Sequence, residues 1–282
     1  MLRLLDTFSG IGGFSYAAEQ IVGGYETVAF VEREPYCQKI LRKHWPDVPI
    51  HDDITTFNPA PGSADVVCGG FPCQDISAAG KQAGIKEGTR SGLFYELMRV
   101  IRLVGPQYVI LENVAAITSN GLDTVLGTLA EAGFDAEWAC IPASGVGACH
   151  RRDRWWLVAY PNNARPQAPR AITNANHSGL QRQRAEYELS ESGREGAITW
   201  SRRDAVLNPE WGRYVSKPVL CRGDDGLSNR VDRIKALGNA VVPQVAAIPL
   251  ARVLEMAHAK RAADTAADPP ELQPRSSAVA SQ

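Results

Sequence analysis

The sequence predicts an α/β protein built on a doubly wound, mostly parallel β-sheet. Short apolar runs alternate with longer amphipathic runs over the first 140 residues, and this alternation is typical of a parallel sheet with helices on both faces. Glycines and polar residues follow the apolar runs, at the strand ends where such sheets bind ligands. The chain has 282 residues, of which 44% are hydrophobic, so it is long enough to bury a large core.

The same alternation assigns the elements in chain order. The apolar runs predicted as strands are LRLLDTF, TVAFVER, ADVVCGG, YVILENV, AEWACIPA and RWWLVAY. The intervening segments with the spacing of amphipathic helices are FSYAAEQIV, EPYCQKILRKHW, SGLFYELMRVIRLV and LDTVLGTLAEAG. A further turn and helix are predicted near the C-terminus, over NRVDRIKALGNAVVPQVAAIPLARVLEMAHA.

Composition divides the chain into four parts. Residues 1–160 carry the alternating pattern and form the main domain. Residues 161–235 are rich in Asn, Gln, Arg, Pro and Ser, which predicts a small irregular region. Residues 236–258 form a C-terminal segment and helix that we expect to pack back onto the main domain. Residues 259–282 contain many small residues and prolines, and we expect them to be disordered.

Charge is distributed unevenly along the chain. Residues 1–150 carry 10 Lys and Arg against 17 Asp and Glu, whereas residues 151–235 carry 16 against 10. An arginine-rich segment suits contact with nucleic-acid phosphates, although a solvated polar insert has the same composition. No apolar run approaches the ~20 residues that cross a bilayer, and the N-terminus lacks the apolar stretch of a signal peptide. The six cysteines form no C-x-x-C pair, so we expect reduced thiols in a soluble intracellular protein.

Acids and glycines at three successive strand ends indicate a nucleotide-like ligand. DTFSGIGG places glycines between the first strand and its helix, where backbone N–H groups can face an anion. Glu32 follows the second strand and can accept hydrogen bonds from ribose hydroxyls. Asp53 can accept from an adenine amino group while Ile54 packs on the ring. Together these positions suit an adenosyl ligand, whereas each acid alone is equally typical of a helix cap or a solvated side chain.

Cys73, in the stretch CGGFPCQDIS, is the candidate nucleophile. It follows a predicted strand on a loop shaped by glycines and a proline, the setting that a reactive thiolate needs. Cys68, inside the strand, is more typical of a buried apolar residue, and no His or Cys lies at zinc-ligand spacing from Cys73. Glu112 and Asn113 end the next strand at the same edge of the sheet. A carboxyl group there favours its protonated form, which can donate a proton to a ring nitrogen.

These segments resemble the DNA (cytosine-5) methyltransferases of the bacterial and phage type. The matching stretches follow the family's order and are DTFSGIGGF (6–14), VEREPYC (31–37), DDIT (52–55), GGFPCQDIS (69–77), ENV (112–114), RRDRWWLVA (151–159) and GNAVVP (238–243). FPCQ followed by ENV at this separation is highly specific. The resemblance implies a Rossmann-like S-adenosylmethionine-dependent methyltransferase fold. It makes residues 1–160 the catalytic and cofactor-binding domain and residues 161–235 a small target-recognition region.

The resemblance also implies a role for each motif residue. Cys73 attacks C6 of a cytosine flipped out of the duplex, Glu112 protonates N3, and Arg154 holds O2. Arg152 steadies the neighbouring loop or a phosphate. C5 then takes the methyl group of S-adenosylmethionine, which leaves S-adenosylhomocysteine, and no metal is implied. The positions that match cofactor contacts are Phe8, Gly10, Ile11, Gly12, Glu32, Asp53, Ile54, Pro72, Leu93 and Asn239.

The resemblance implies double-stranded DNA as the partner and no contact with a membrane. It also implies that the protein acts as a monomer in the cytoplasm. Both a solitary enzyme and one that accompanies a restriction endonuclease fit the sequence. Two departures from the family pattern stand out. His150 replaces the usual Gln before the first motif arginine, and the usual R-x-L-T segment is not found before GNAVVP. The recognition region is therefore short and divergent, and its target sequence is not predicted.

Three other functions are compatible with parts of the sequence. A tRNA cytosine-5 methyltransferase shares the catalytic design, but its relatives carry different residues after P-C-Q and lack a bacterial-style recognition region. A non-catalytic DNA-binding relative fits the fold, yet Cys73, Glu112 and Arg154 are all present. A dinucleotide oxidoreductase is compatible with the glycine loop but leaves FPCQ and ENV unexplained. The sequence therefore favours the DNA methyltransferase.

Overall fold

The computed structural model describes residues 1–72, 92–148, 150–162 and 230–267. Its strands are β1 (Leu2–Thr7), β2 (Tyr25–Val31), β3 (Ile50–His51), β4 (Val66–Gly70), β5 (Tyr108–Val114), β6 (Phe134–Pro142) and β7 (Asp153–Pro161). Its α-helices are α1 (Gly13–Tyr16), α2 (Pro35–His44), α3 (Leu93–Val104), α4 (Leu122–Glu131), α5 (Arg230–Asn239) and α6 (Pro243–Ala267). A π-helical segment, Ala17–Val22, extends α1, and 3-10 turns span Ala115–Thr118 and Ala143–Val146.

The seven strands of the described residues form one sheet in the order β3-β2-β1-β4-β5-β7-β6. The pairs among β1 to β5 are parallel, and β7 is antiparallel to both of its neighbours. The chain runs outward from β1 to β3 and then crosses back to place β4 on the other side of β1. This reversal opens a crevice at the carboxyl ends of β1 and β4, where open α/β sheets bind ligands. The predicted doubly wound, mostly parallel sheet is confirmed.

The core lies on both faces of the sheet because strand side chains alternate between them. Trp155 and Trp156 are adjacent on β7 and both fully buried, and they pack into opposite halves of the core. Trp156 meets Phe14 of α1 edge to face, with ring centroids 5.6 Å apart. Trp155 packs on the other face with the apolar side of α3, which includes Phe94 and Leu97. Two consecutive tryptophans thus anchor β7 between both helical layers.

Helix α6 closes the face that also carries α1. Its apolar residues join the same core, and the Tyr25 hydroxyl donates to the Leu250 carbonyl at 2.6 Å. Arg252 forms an ion pair with Glu137 of β6, with 2.7 Å between Nε and Oε1. Both side chains are largely buried, so removing either partner would leave an unpaired charge in the interior. Helix α6 therefore packs against residues of β2, β6 and α1, while the predicted division of the chain into domains stays a prediction.

The structure corrects the sequence analysis at three places. The two-residue strand β3 was not predicted, because it is too short to show periodicity. The C-terminal helix was predicted as one element but is divided into α5 and α6, since Pro243 begins α6 and lacks the N–H that a continuous helix needs. The disordered tail was predicted from residue 259, whereas α6 continues to Ala267 through an alanine-rich stretch of high helix propensity.

The boundaries predicted for the irregular region fall mostly outside the described residues. Residues 163–229 and 268–282 are not described, so the proposed recognition region and most of the predicted tail stay predictions. The stretch Lys235–Asp264 is long and apolar enough to cross a membrane by length and composition. Half of the apolar part of this stretch is buried within the protein, as in a core helix.

Candidate functional site

A cavity of about 620 Å³ opens at the carboxyl ends of the central strands. It lies at the crevice that the strand order predicts. Nine of the sequence-predicted site residues line it, drawn from segments far apart in the chain. They are Phe8, Glu32, Asp53, Ile54, Pro72, Leu93, Glu112, Arg154 and Asn239. The fold therefore brings seven of the ten predicted cofactor contacts and two of the predicted catalytic side chains to one space.

The remaining predicted residues lie elsewhere. Ile11, Gly12 and Arg152 line a second cavity, of about 660 Å³, together with His150 and residues of α1, α2 and α6. Gly10 lines neither cavity, although its N–H bonds to Glu32. Cys73 lies outside the described residues, which end at Pro72 and resume at Gly92. The role of Cys73 as nucleophile stays a prediction.

The glycine loop is shaped by the protein's own packing. Gly12 has a φ of 83°, and a Cβ there would lie 2.6 Å from the Trp45 ring. A glycine is needed at this position because the end of α2 packs against the loop and because positive φ disfavours other residues. The Gly12 N–H donates to the Ser9 carbonyl at 2.9 Å. The resemblance matches Gly12 to a cofactor contact, which stays a prediction, and the neighbour observed in the structure is Trp45.

Glu32 links the loop to the second strand. Its Oε2 accepts from the Gly10 N–H at 2.6 Å and its Oε1 accepts from the Glu34 N–H at 2.7 Å. Burial raises the pKa of Glu32, and these backbone hydrogen bonds act in the opposite direction. Each carboxylate oxygen has a second lone pair, so the side chain can still accept from a ligand hydroxyl. Contact of Glu32 with a ribose therefore stays a prediction.

Asp53 and Ile54 form the next part of the wall. Asp53 Oδ1 accepts from the backbone N–H and the hydroxyl of Thr55, at 2.9 and 2.8 Å. These bonds lower the pKa of Asp53, so its carboxylate is charged at neutral pH and can accept a ligand amino hydrogen. Arg99 of α3 donates to the Ile54 carbonyl at 2.6 Å. A helix behind the cavity therefore holds this segment in place.

Glu112 is the acid at the base of the cavity. Its side chain is 13% exposed, and its Oε1 lies 3.0 Å from Nε of Arg154, which comes from the neighbouring strand β7. Gly70 sits opposite Glu112 in the β4–β5 ladder, and a Cβ on Gly70 would lie 2.9 Å from Oε2. Burial raises the pKa of Glu112 to about 7, while Arg154 and Arg152 lower it. A substantial fraction of Glu112 is therefore protonated near neutral pH.

Asn113 supports the segment that precedes Cys73, a role that the sequence analysis did not assign. Its amide is buried, donates to the Phe71 carbonyl at 3.1 Å, and accepts from the Val114 N–H at 2.9 Å. The signal was an amide following an acid in an otherwise apolar strand. Such a buried polar group needs partners, and here its partner is the chain two residues before Cys73.

Backbone strain is concentrated around the two cavities. Phe8 and Arg152 are the non-glycine residues with positive φ among those described, at 52° and 37°. Conformations of this kind cost energy and persist where the surrounding structure enforces them, often at functional sites. Phe8 lines the cavity with Glu112, whereas Arg152 lines the second cavity. Within the described residues, no group of His, Cys, Asp or Glu is arranged to hold a metal ion.

Comparisons with known proteins identify the family of the chain. Residues 2–202 match the family model "C-5 cytosine-specific DNA methylase". The type II methyltransferase M.HhaI of Haemophilus parahaemolyticus is 33% identical over 167 residues, which cover 57% of this chain and 50% of that protein. M.CviJI of Paramecium bursaria Chlorella virus IL3A is 34% identical over 61% of this chain and 47% of its own length. The chain thus spans about half the length of these curated relatives.

Solved structures support the fold. The methyltransferase EhMeth of Entamoeba histolytica aligns with a TM-score of 0.59 over 90% of this chain and 99% of its own, at 15% identity. A mutant of Spodoptera frugiperda DNMT2 aligns with a TM-score of 0.50 over 61% of this chain and 54% of its own, at 21% identity. At these identities the likeness concerns the architecture alone. Because the family model covers most of the sequence, the chain belongs to the C-5 cytosine-specific DNA methylase family.

Proposed function

We propose that this chain is a DNA (cytosine-5) methyltransferase. It transfers a methyl group from S-adenosylmethionine to C5 of a flipped-out cytosine in a short specific DNA sequence. One observation carries the proposal: a single cavity combines Glu112, a carboxyl group of raised pKa, with Arg154 and the strand-end acids Glu32 and Asp53. A proton donor for a ring nitrogen and a pocket for an adenosyl group then share one space, as transfer between two bound reactants requires.

The cavity suits the adenosyl cofactor by size and by chemistry. Its volume of about 620 Å³ lies within the range of small-molecule sites. Glu32 and Asp53 offer acceptors for hydroxyl and amino hydrogens, and Phe8, Ile54 and Leu93 offer apolar surface for a ring. S-adenosylmethionine, when bound, supplies an electrophilic methyl group. Its binding at these residues is part of the proposal, and no metal is required.

The proposed chemistry assigns one task to each side chain. The Cys73 thiolate forms a bond to C6 of the cytosine while Glu112 gives its proton to N3 and Arg154 donates a hydrogen bond to O2. Protonation at N3 keeps negative charge from building on the ring, so the electron pair is available at C5 to take the methyl group. A base then removes the C5 proton, the bond from C6 to sulfur breaks, and Glu112 recovers the N3 proton.

Target recognition is proposed for residues 161–235, on their basic composition and their place between the motifs. Action on double-stranded DNA and a cytoplasmic location are part of the same proposal, and the bacterial and viral relatives support them. A monomeric state stays a prediction of the sequence, and both a solitary enzyme and one that accompanies a restriction endonuclease fit it.

Transfer of radioactive label tests the function and separates it from its rivals. The purified chain is incubated with S-adenosylmethionine labelled in the methyl group and with either duplex DNA or tRNA. We expect label in the 5-methylcytosine of DNA, and none with Cys73→Ala. Label in tRNA alone would instead identify an RNA enzyme. Cofactor binding without transfer, together with no covalent adduct on DNA that contains 5-fluorocytosine, would identify a non-catalytic relative.

A further inference from the structure

Helix α5 delivers Asn239 to the cavity. Among the α5 side chains that the structure describes, Ala236 is buried, whereas Leu237 is 67% exposed. The short link after Asn239 passes close to α1: a Cβ on Gly13 would lie 2.5 Å from the Val241 side chain. Beside these apolar contacts, the part of α5 that the structure describes makes polar contacts with its neighbours.

Among the residues that the structure describes, Lys235 and Gly238 of α5 make polar contacts beside the cavity. Lys235 forms an ion pair with Glu34, with 2.8 Å between Nζ and Oε1, but both side chains are about half exposed. An exposed pair of this kind contributes little. The second contact comes from Arg152, whose Nη2 donates to the Gly238 carbonyl at 2.9 Å and to the Ala240 carbonyl at 2.8 Å. These carbonyls flank Asn239, so the guanidinium is hydrogen-bonded to the backbone on both sides of Asn239.

The guanidinium of Arg152 is suited to these two hydrogen bonds. A guanidinium is always charged and offers several donors in a fixed plane. Bonds from a cation to the last carbonyls of a helix also complement the negative end of the helix dipole. The Arg152 side chain is half-buried, and its backbone is held at positive φ. Arg152 does not line the cavity that contains Glu112 and Arg154.

We infer that Arg152 is a positioning residue for the cofactor site: its contacts with the Gly238 and Ala240 carbonyls fix Asn239 at the cavity. The inference rests on the proposed function and changes one expectation of the sequence, which assigned Arg152 to the loop or a phosphate beside the base. Arg152 and Arg154 lie two residues apart on the chain. Arg152 contacts the chain around Asn239, whereas Arg154 contacts Glu112.

Calorimetric binding of S-adenosylhomocysteine tests the inference without any need for DNA. The wild-type chain is compared with Arg152→Ala, Arg152→Lys, Asn239→Ala, the double variant Arg152→Ala/Asn239→Ala and the matched control Arg151→Ala. Arg151 is the neighbouring arginine, but it is exposed and pairs with Asp153. We expect Arg152→Ala to raise Kd about tenfold, which corresponds to about 1.4 kcal/mol, Arg152→Lys to recover part of the loss, and Arg151→Ala to leave Kd unchanged.

The double variant separates positioning from independent stabilisation. If Arg152 acts through Asn239, the two losses of affinity are not additive. The Kd of the double variant for S-adenosylhomocysteine then does not exceed the higher of the two single-variant Kd values. Additive losses, or an unchanged Kd for Arg152→Ala, would overturn the inference. Should Arg152→Ala fail to fold, Arg152→Lys and Arg152→Gln carry the test, and wild-type affinity in both would overturn it. A wild-type chain that binds no S-adenosylhomocysteine would overturn the proposed function as well.

Discussion

Replacement of Glu112 by glutamine should change how the protein's stability depends on pH. The pKa of this carboxyl is about 7 in the folded chain, compared with 4.5 for an ordinary glutamate. Because each pKa unit corresponds to about 1.4 kcal/mol, charging Glu112 in the folded state costs roughly 3 kcal/mol more than charging it in water. The cause is burial beside β4, where Gly70 leaves room for the carboxyl. Glutamine keeps the shape of the side chain and cannot titrate.

The sign of the effect follows from proton binding. Between about pH 4.5 and about pH 7 the folded chain retains a proton on Glu112 that the unfolded chain releases, so the wild type loses stability as pH rises through this window. Glu112→Gln lacks this loss. The stability of the variant relative to the wild type should therefore rise with pH, by up to roughly 3 kcal/mol. Asp6, whose pKa is also about 7, is present in both proteins and cancels in the comparison.

Urea unfolding at pH 5 and pH 8 measures this difference directly. Glu131→Gln, which changes an exposed carboxylate at the end of α4, serves as the control and should keep a constant offset from the wild type. Parallel stability curves for Glu112→Gln and the wild type would refute the assignment of a buried, largely protonated carboxyl. In the methylation assay, we expect kcat of the same variant to fall about 10²–10⁴-fold. We also expect kcat/KM of the wild type to decline above about pH 7, where Glu112 loses its proton, and kcat/KM of the variant to show no such decline.

Two further substitutions test the walls of the cavity. Gly70→Ala places a methyl group 2.9 Å from Glu112 Oε2. We expect kcat to fall with little change in the Kd of S-adenosylhomocysteine. An unchanged kcat would show that the Glu112 carboxyl has room to move. Glu32→Gln keeps one acceptor for the N–H groups of Gly10 and Glu34 but loses the charge; we expect cofactor binding about tenfold weaker, a change of about 1.4 kcal/mol, and equal affinity in calorimetry would remove Glu32 from the cofactor site.

The sheet was predictable because its strands carry strong local signals. YVILENV is a run of apolar residues that ends in polar ones, and β5 spans the same residues, Tyr108–Val114. Strand β3 has two residues and pairs with β2 through a short parallel register. Its existence depends on a neighbouring strand, so no pattern in the local sequence could reveal it. The break before Pro243 was visible as a proline, but the alanine-rich end of α6 gave no sign of where the helix stops.

The convergence of side chains was predictable where it follows from strand ends, whereas contacts that depend on distant packing were not. The carboxyl ends of parallel strands lie at the same edge of a sheet, so Glu32, Asp53 and Glu112 were expected to lie close together. All three line the cavity. The reason for Gly12 could not be found in the same way, because Trp45 lies on another element. The contact between Arg152 and the carbonyls beside Asn239 joins residues more than 80 positions apart. Sequence spacing carries no record of such contacts.

Base-resolution bisulfite sequencing tests the central claim most directly. The chain is expressed in a bacterium that lacks cytosine methylation, beside Cys73→Ala and a matched cysteine control, Cys140→Ala, which changes a residue of β6 outside the cavity. We expect protected cytosines in one short sequence context for the wild type and Cys140→Ala, and none for Cys73→Ala. Protected cytosines in the Cys73→Ala cells, or none with a folded wild-type chain that binds S-adenosylhomocysteine, would contradict the central claim.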